Sequence, residues 1–170
     1  MNVVIANRQR ARKINARLLK EIAEALLVEF KIEKAELGIN LVPAREMTLI
    51  NGTFLRHEGP TDVITFDYAN EGRTGSPLPA DGAHGMTRPT LHGEIFVCVD
   101  EAVLQAKKFK TIWQSEIVRY LIHGILHLLG HDDRHAAARR KMKREENRRL
   151  AGLSKKFCLA QIGGASRLRV

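Results

Sequence analysis

The sequence predicts a single α+β domain: a small central mixed sheet of about four strands packed with helices. Three observations carry this expectation. Stretches with strand periodicity are interspersed with amphipathic helical stretches along the chain. Hydrophobic residues make up 44% and charged residues 28%, a globular composition and not a disordered one. The chain has 170 residues and no internal repeat, a length that suits one core.

Taken in order, Val3–Ala6 is a short apolar run suited to a strand. From Lys13 to Phe30, the residues Ile14, Leu18, Leu19, Ile22, Ala25 and Leu26 recur at helical spacing between charged ones; this is a helix facing a core. Glu36–Val42 alternates, with Leu37, Ile39 and Leu41 on one face, and Pro43 ends it. Ala44–Leu55 is helical through Met47, Leu49, Ile50 and Phe54. Asp62–Phe66 and His92–Val99 read as strands. Residues 69–90 between them hold four glycines and three prolines, too many for a tight hairpin, and predict a mobile surface loop. Glu101–Phe109 fits a short helix, and Thr111–Leu129 a longer, strongly apolar one that Gly130 stops. Ala136–Leu150 is a charged helix. The domain is expected to span residues 1–150, followed by a loosely held basic tail at 151–170.

Composition excludes several classes. Cys98 and Cys158 stand sixty positions apart and read as reduced thiols without a disulfide partner. No apolar run approaches the about 20 residues of a membrane span, and MNVVIANRQRARK at the N-terminus has no adequate signal-peptide core. A cytoplasmic protein is expected. The net charge is +9, yet residues 134–170 hold 12 basic and 2 acidic side chains, so the remainder is nearly neutral. A concentrated positive segment favours a polyanion, most commonly nucleic acid.

The chemistry concentrates in His123-Gly-Ile-Leu-His127-Leu-Leu-Gly130-His131-Asp132-Asp133. His123 and His127 are i and i+4, so both imidazoles leave one helix face a turn apart and can bind one zinc ion. A third ligand from the same helix face closes a tetrahedron poorly. Gly130 permits a turn, after which His131, Asp132 and Asp133 follow directly. Burying two unpaired histidines on an apolar helix would be costly, which disfavours a purely structural role. Tyr120 and Glu116, about one and two turns before His123, are placed to support it.

This stretch resembles the H-G-x-L-H-L-x-G-x-D-H signature of the YbeY family, bacterial zinc-dependent endoribonucleases and ribosomal-RNA maturation factors. Asn51-Gly-Thr-Phe-Leu-Arg56 with Pro60-Thr-Asp-Val-Ile-Thr-Phe66, and Gly93-Glu-Ile-Phe-Val-Cys98, are similar to two further blocks of that family, in family order. The resemblance spans residues 50–133. It implies one Zn²⁺ per chain and a single-stranded RNA substrate. It also implies action in ribosomal-RNA processing, including 16S rRNA 3′-end maturation and ribosome quality control, with a ribosome or small-subunit particle as partner. His123 and His127 are then metal ligands. Asp133 occupies the place where the family commonly has a third His, and a carboxylate is an acceptable ligand; His131 is the runner-up. The family's catalytic Arg falls at Leu55 here, and Arg56, one place later, is the candidate catalytic residue. Arg139, Arg140, Lys141, Lys143, Arg144, Arg148 and Arg149 could hold the RNA backbone; the alternative is a solvated helix.

Two other functions compete. A metalloprotease with an extended H-x3-H motif needs Glu after the first His as general base, and Gly124 stands there. A non-catalytic RNA-binding assembly factor with structural zinc also fits, because the motif offers no general base. Asp62 and Glu94 fill that role only if the fold brings them close.

Overall fold

A computed structural model describes residues 1–55, 59–68 and 90–164. Four strands form one sheet: β1 (Asn2–Asn7), β2 (Lys34–Val42), β3 (Val63–Asp67) and β4 (Thr90–Cys98), in the spatial order β1-β2-β4-β3. β1 and β4 flank β2 in parallel, and β3 closes the sheet antiparallel to β4. The sheet is therefore mixed and four-stranded, as the sequence predicts. The expected mobile loop at 69–90 lies outside the described residues apart from Thr90, which begins β4.

Helices α1 (Ala16–Glu29), α3 (Val99–Phe109) and α4 (Trp113–Leu128) bury apolar stripes in the main core. The α1 stripe is Leu19, Ile22, Ala23, Leu26 and Leu27, and Asn15 caps its N-terminus by accepting from Leu18 N. Short α2 (Ala44–Ile50) buries only Met47, within a second cluster formed with Val42, Ile64, Phe96 and Cys98. The single helix predicted for 44–55 is interrupted: Asn51–Leu55 widen into a π-helical turn. Asn51, itself buried, donates from Nδ2 to the Gly59 carbonyl, which draws the chain back toward β3.

Helix α4 is the most deeply buried helix, with Ile117, Val118, Leu121, Ile122, Ile125 and Leu126 inaccessible. Its Gly124 meets β4 closely: a Cβ there would lie 2.9 Å from Cγ2 and 3.0 Å from Cδ1 of Ile95. The glycine is thus a packing requirement of the helix that carries the histidines.

The C-terminus departs from the sequence expectation. Helix α5 (Ala136–Lys156) continues six residues past Leu150 and buries Met142, Glu146 and Leu153 along one stripe. A 3₁₀ turn (Leu159–Gly163) follows. Its Leu159 and Ile162 enter the main core, and the Ile162 carbonyl accepts from Asn15 N at the head of α1. Apolar spacing continued in Leu153, Leu159 and Ile162 thus holds down a segment whose basic charge suggests a free tail.

Candidate metal centre

The turn after α4 builds the site. Leu129 caps the helix, and Gly130 follows at φ +86°, a conformation that favours glycine. Gly130 N donates to the His127 carbonyl at 2.8 Å and His131 N to the Leu126 carbonyl at 3.0 Å. This Schellman arrangement reverses the chain and returns Asp133 to the helix face it has just left.

Three donor groups meet there. One ligand atom each of His123, His127 and Asp133 lies within 4.8 Å of the others. His123 Nδ1 donates to Glu146 Oε1 at 2.7 Å, and His127 Nδ1 donates to the His131 carbonyl at 3.1 Å. With both Nδ1 atoms committed to acceptors, each neutral imidazole directs a lone pair from Nε2, and the two Nε2 atoms are 2.9 Å apart. Facing lone pairs require a proton or a cation between them. A carboxylate at the same point favours a metal, for which tetrahedral bonds of about 2.0–2.1 Å would set the two nitrogens about 3.3 Å apart. The donor set therefore fits a divalent ion such as zinc. The His131 ring is not part of this group; its backbone oxygen instead orients His127.

Electrostatics separate the two histidines. Burial lowers the pKa of His123, but the Glu146 hydrogen bond and charge outweigh it, and the net shift is upward. His127 is shifted down by burial and by the neighbouring charge of His123, which keeps it neutral as a ligand must be. Burial likewise pushes Glu146 up, yet the His123 bond, with Lys143 and Arg119, holds it below its ordinary value.

Glu146 is the functional residue that sequence reasoning misses. It is 5% exposed, and its Oε2 lies 3.7 Å from Arg119 and 3.6 Å from Lys143. Arg119 also approaches Glu116 at 3.6 Å, and Glu116 accepts from Thr111 Oγ1 at 2.7 Å. Glu116 is thus linked to the His123 side chain through Arg119 and Glu146, a longer path than its helical spacing implies. The one sequence signal for Glu146 is that Glu145 and Glu146 are the sole acids in the basic segment 134–170.

A cavity of about 580 Å³ opens beside His123 and Asp133. Asp62 and Tyr120 line it, as do Arg139, Arg140 and Lys143. Asp62 also serves its own turn, accepting from Thr61 Oγ1 and Val63 N at Oδ1. Glu94 does not reach the cavity; it accepts from the Tyr68 hydroxyl at 3.3 Å and packs against Gly38 elsewhere on the sheet. Arg139 Nε donates to the Asp133 carbonyl at 3.2 Å. Lys141 and Arg144 are exposed on α5 outside the cavity lining. Arg148 and Arg149 are engaged elsewhere: both bind Glu145, and Arg149 also pairs with Glu29 and stacks 4.2 Å from the Phe30 ring centroid. Arg56 lies outside the described residues. Cys98 is buried, Cys158 is exposed, and both are free. Among the described residues, no helix is long and apolar enough to cross a membrane.

Residues 4–154 match the family model described as Endoribonuclease YbeY. A protein of that name from Myxococcus xanthus is 38% identical over 77% of this chain, although the chain spans only 41% of that protein's length. A namesake from Elusimicrobium minutum is 35% identical over 77% of this chain and 83% of its own. One from Syntrophotalea carbinolica is 31% identical over 90% of this chain and 96% of its own. The solution structure of TM1509 from Thermotoga maritima superposes with a TM-score of 0.60, covering 99% of each chain at 22% identity, which supports the fold.

Proposed function

The chain belongs to the YbeY endoribonuclease family, and from that premise we propose that it is a zinc-dependent, single-strand-specific endoribonuclease. The proposal places it in the cytoplasm, acting on ribosomal-RNA precursors at the 3′ end of 16S rRNA and in ribosome quality control, on a ribosome or small-subunit particle. The observation that carries this reading is the convergence of His123, His127 and Asp133 beside a cavity with a basic rim.

His123, His127 and Asp133 would hold the ion, one per chain, with His131 the less favoured alternative to Asp133. When bound, zinc supplies Lewis-acid polarisation of a phosphoryl oxygen or a more acidic water. The other roles belong to the chain. Glu146 and the His131 carbonyl fix the ring orientation and tautomer of the two histidines. Arg139 steadies the backbone of Asp133. Arg140 and Lys143 at the cavity supply positive charge toward phosphates. Arg56 is proposed to add charge stabilisation there. Glu146 and Glu116 are both paired with cations, whereas Asp62 has no ion-pair partner among the described residues. Asp62 is therefore the carboxylate best suited to hold a proton during cleavage.

The same scarcity of uncommitted carboxylates favours one second reading, an RNA-binding assembly factor with structural zinc. End-labelled single-stranded and duplex RNA separate the two. The enzyme reading predicts internal cleavage of the single strand alone, abolished by chelator and by His127→Ala. RNA bound but left intact would favour the assembly factor.

A further inference from the structure

Phe109 is left unexplained by both the core and the metal centre. It ends α3 and is 61% exposed, in a chain with only six Phe, two Tyr and one Trp. Phe54 is comparably exposed but meets the Phe66 ring edge-on at 5.1 Å. Phe109 has no such aromatic partner among the described residues; Lys108 Nζ sits 5.4 Å from its centroid. Lys110, left-handed at φ +55°, ends the helix directly after it.

Position gives the exposed ring a use. Phe109 lines the same cavity as His123 and Asp133, with Gln105 one turn before it on α3. Arg140 lines the cavity as well, an exposed cation with no ion-pair partner among the described residues. The hydroxyl of Tyr120, a buried residue that lines the cavity, has no hydrogen-bond partner among the described residues. The combination is an aromatic face, an uncommitted cation and an unsatisfied hydroxyl beside a metal centre. An apolar peptide side chain would use the ring but not the cation. A nucleotide uses both, its base on the ring and its phosphate on the guanidinium.

We infer that this cavity is a nucleotide subsite in which Phe109 stacks a base flanking the scissile phosphate and Arg140 holds the adjoining phosphate. Phe109 thereby sets the register in which the strand meets His123 and Asp133. The inference rests on the endoribonuclease reading and adds a specific binding residue to it.

The test uses the metal-loaded 170-residue chain and a single-stranded RNA containing 2-aminopurine, whose fluorescence falls on stacking. Wild type, Phe109→Ala, Phe109→Trp and Arg140→Ala are compared for quenching, KM and kcat. Stacking on one aromatic side chain corresponds to about a tenfold rise in KM for Phe109→Ala, with a smaller change in kcat. Quenching is expected to be lost in Phe109→Ala and kept in Phe109→Trp, whereas Arg140→Ala raises KM and steepens no quench. Unchanged KM and quenching in Phe109→Ala, while wild type still cleaves, would overturn this inference and spare the endoribonuclease reading. Quenching displaced as well by a denatured polypeptide as by unlabelled RNA would overturn it too. Wild type that neither binds nor cleaves the RNA would remove both.

Discussion

Glu146 is a buried carboxylate, and the one group it meets at short hydrogen-bond distance is a candidate metal ligand. An acceptor so placed raises ligand basicity and fixes the ring. Glu146→Gln keeps the shape and weakens the acceptor, so zinc affinity is expected to fall about 10- to 100-fold with the melting temperature little changed; a competition titration against a chromophoric chelator measures it. The three candidate ligands give a sharper ranking. His127→Ala and Asp133→Ala should both lose bound zinc, and His131→Ala should retain it, because His131 contributes a backbone carbonyl that any residue supplies. Metal analysis of the purified variants reads this directly, and the reverse order for Asp133 and His131 would transfer the third ligand to His131. The histidine pair was legible in the sequence because i and i+4 share a helix face whatever the fold does. Glu146 was not, because a partner 23 residues away on another helix becomes a neighbour only through tertiary packing.

At the scale of elements, α4 is held against β4 by one absent methyl group. Alanine favours a helix over glycine by about 1 kcal/mol, but a Cβ at position 124 would press on the fully buried Ile95. Overpacking of this kind costs about 1–3 kcal/mol. Gly124→Ala is therefore expected to lower the melting temperature despite its better propensity, and a thermal melt that rises instead would show that Ile95 yields freely. Periodicity made the type and approximate place of each described strand and α-helix readable, since alternation and the 3.6-residue stripe are local properties, but not the π-helical turn at Asn51–Leu55 or the 3₁₀ turn at Leu159–Gly163. It could not give the strand order β1-β2-β4-β3, because inward-facing residues look alike whichever neighbour they pair with. It also stopped α5 too early. Gly152 interrupts an otherwise helical run, but Leu153 continues the stripe of Met142 and Glu146, and tertiary burial outweighs the local cost of the glycine.

Across the whole molecule, the basic segment divides into two functions that charge counting alone merges. Arg139, Arg140 and Lys143 face the cavity. Arg149 ties α5 to the end of α1 through Glu29, and its pairing with Glu145 within α5 holds it in place. Glu145 is held at about 2, first by its hydrogen bond to Arg148 and then, against the opposing effect of burial, by Arg149. Glu29 is lowered by Lys156 and, against burial, by Arg149. Carboxylates depressed in the folded state stabilise it above the unfolded value of 4.5 and lose that contribution as pH falls toward 2. Arg149→Met is expected to cost about 1.5 kcal/mol at pH 7 and to flatten the acid limb of the stability curve; equal acid limbs for wild type and variant in urea melts would contradict this. The central claim, that His123, His127 and Asp133 assemble a divalent-ion centre for RNA cleavage, is tested most directly by titrating zinc into metal-free protein while following cleavage of a single-stranded RNA. The rate should rise from zero with occupancy and saturate at one ion per chain, and His127→Ala should stay inactive throughout. Full activity in the metal-free protein, or the same titration curve in His127→Ala, would contradict it.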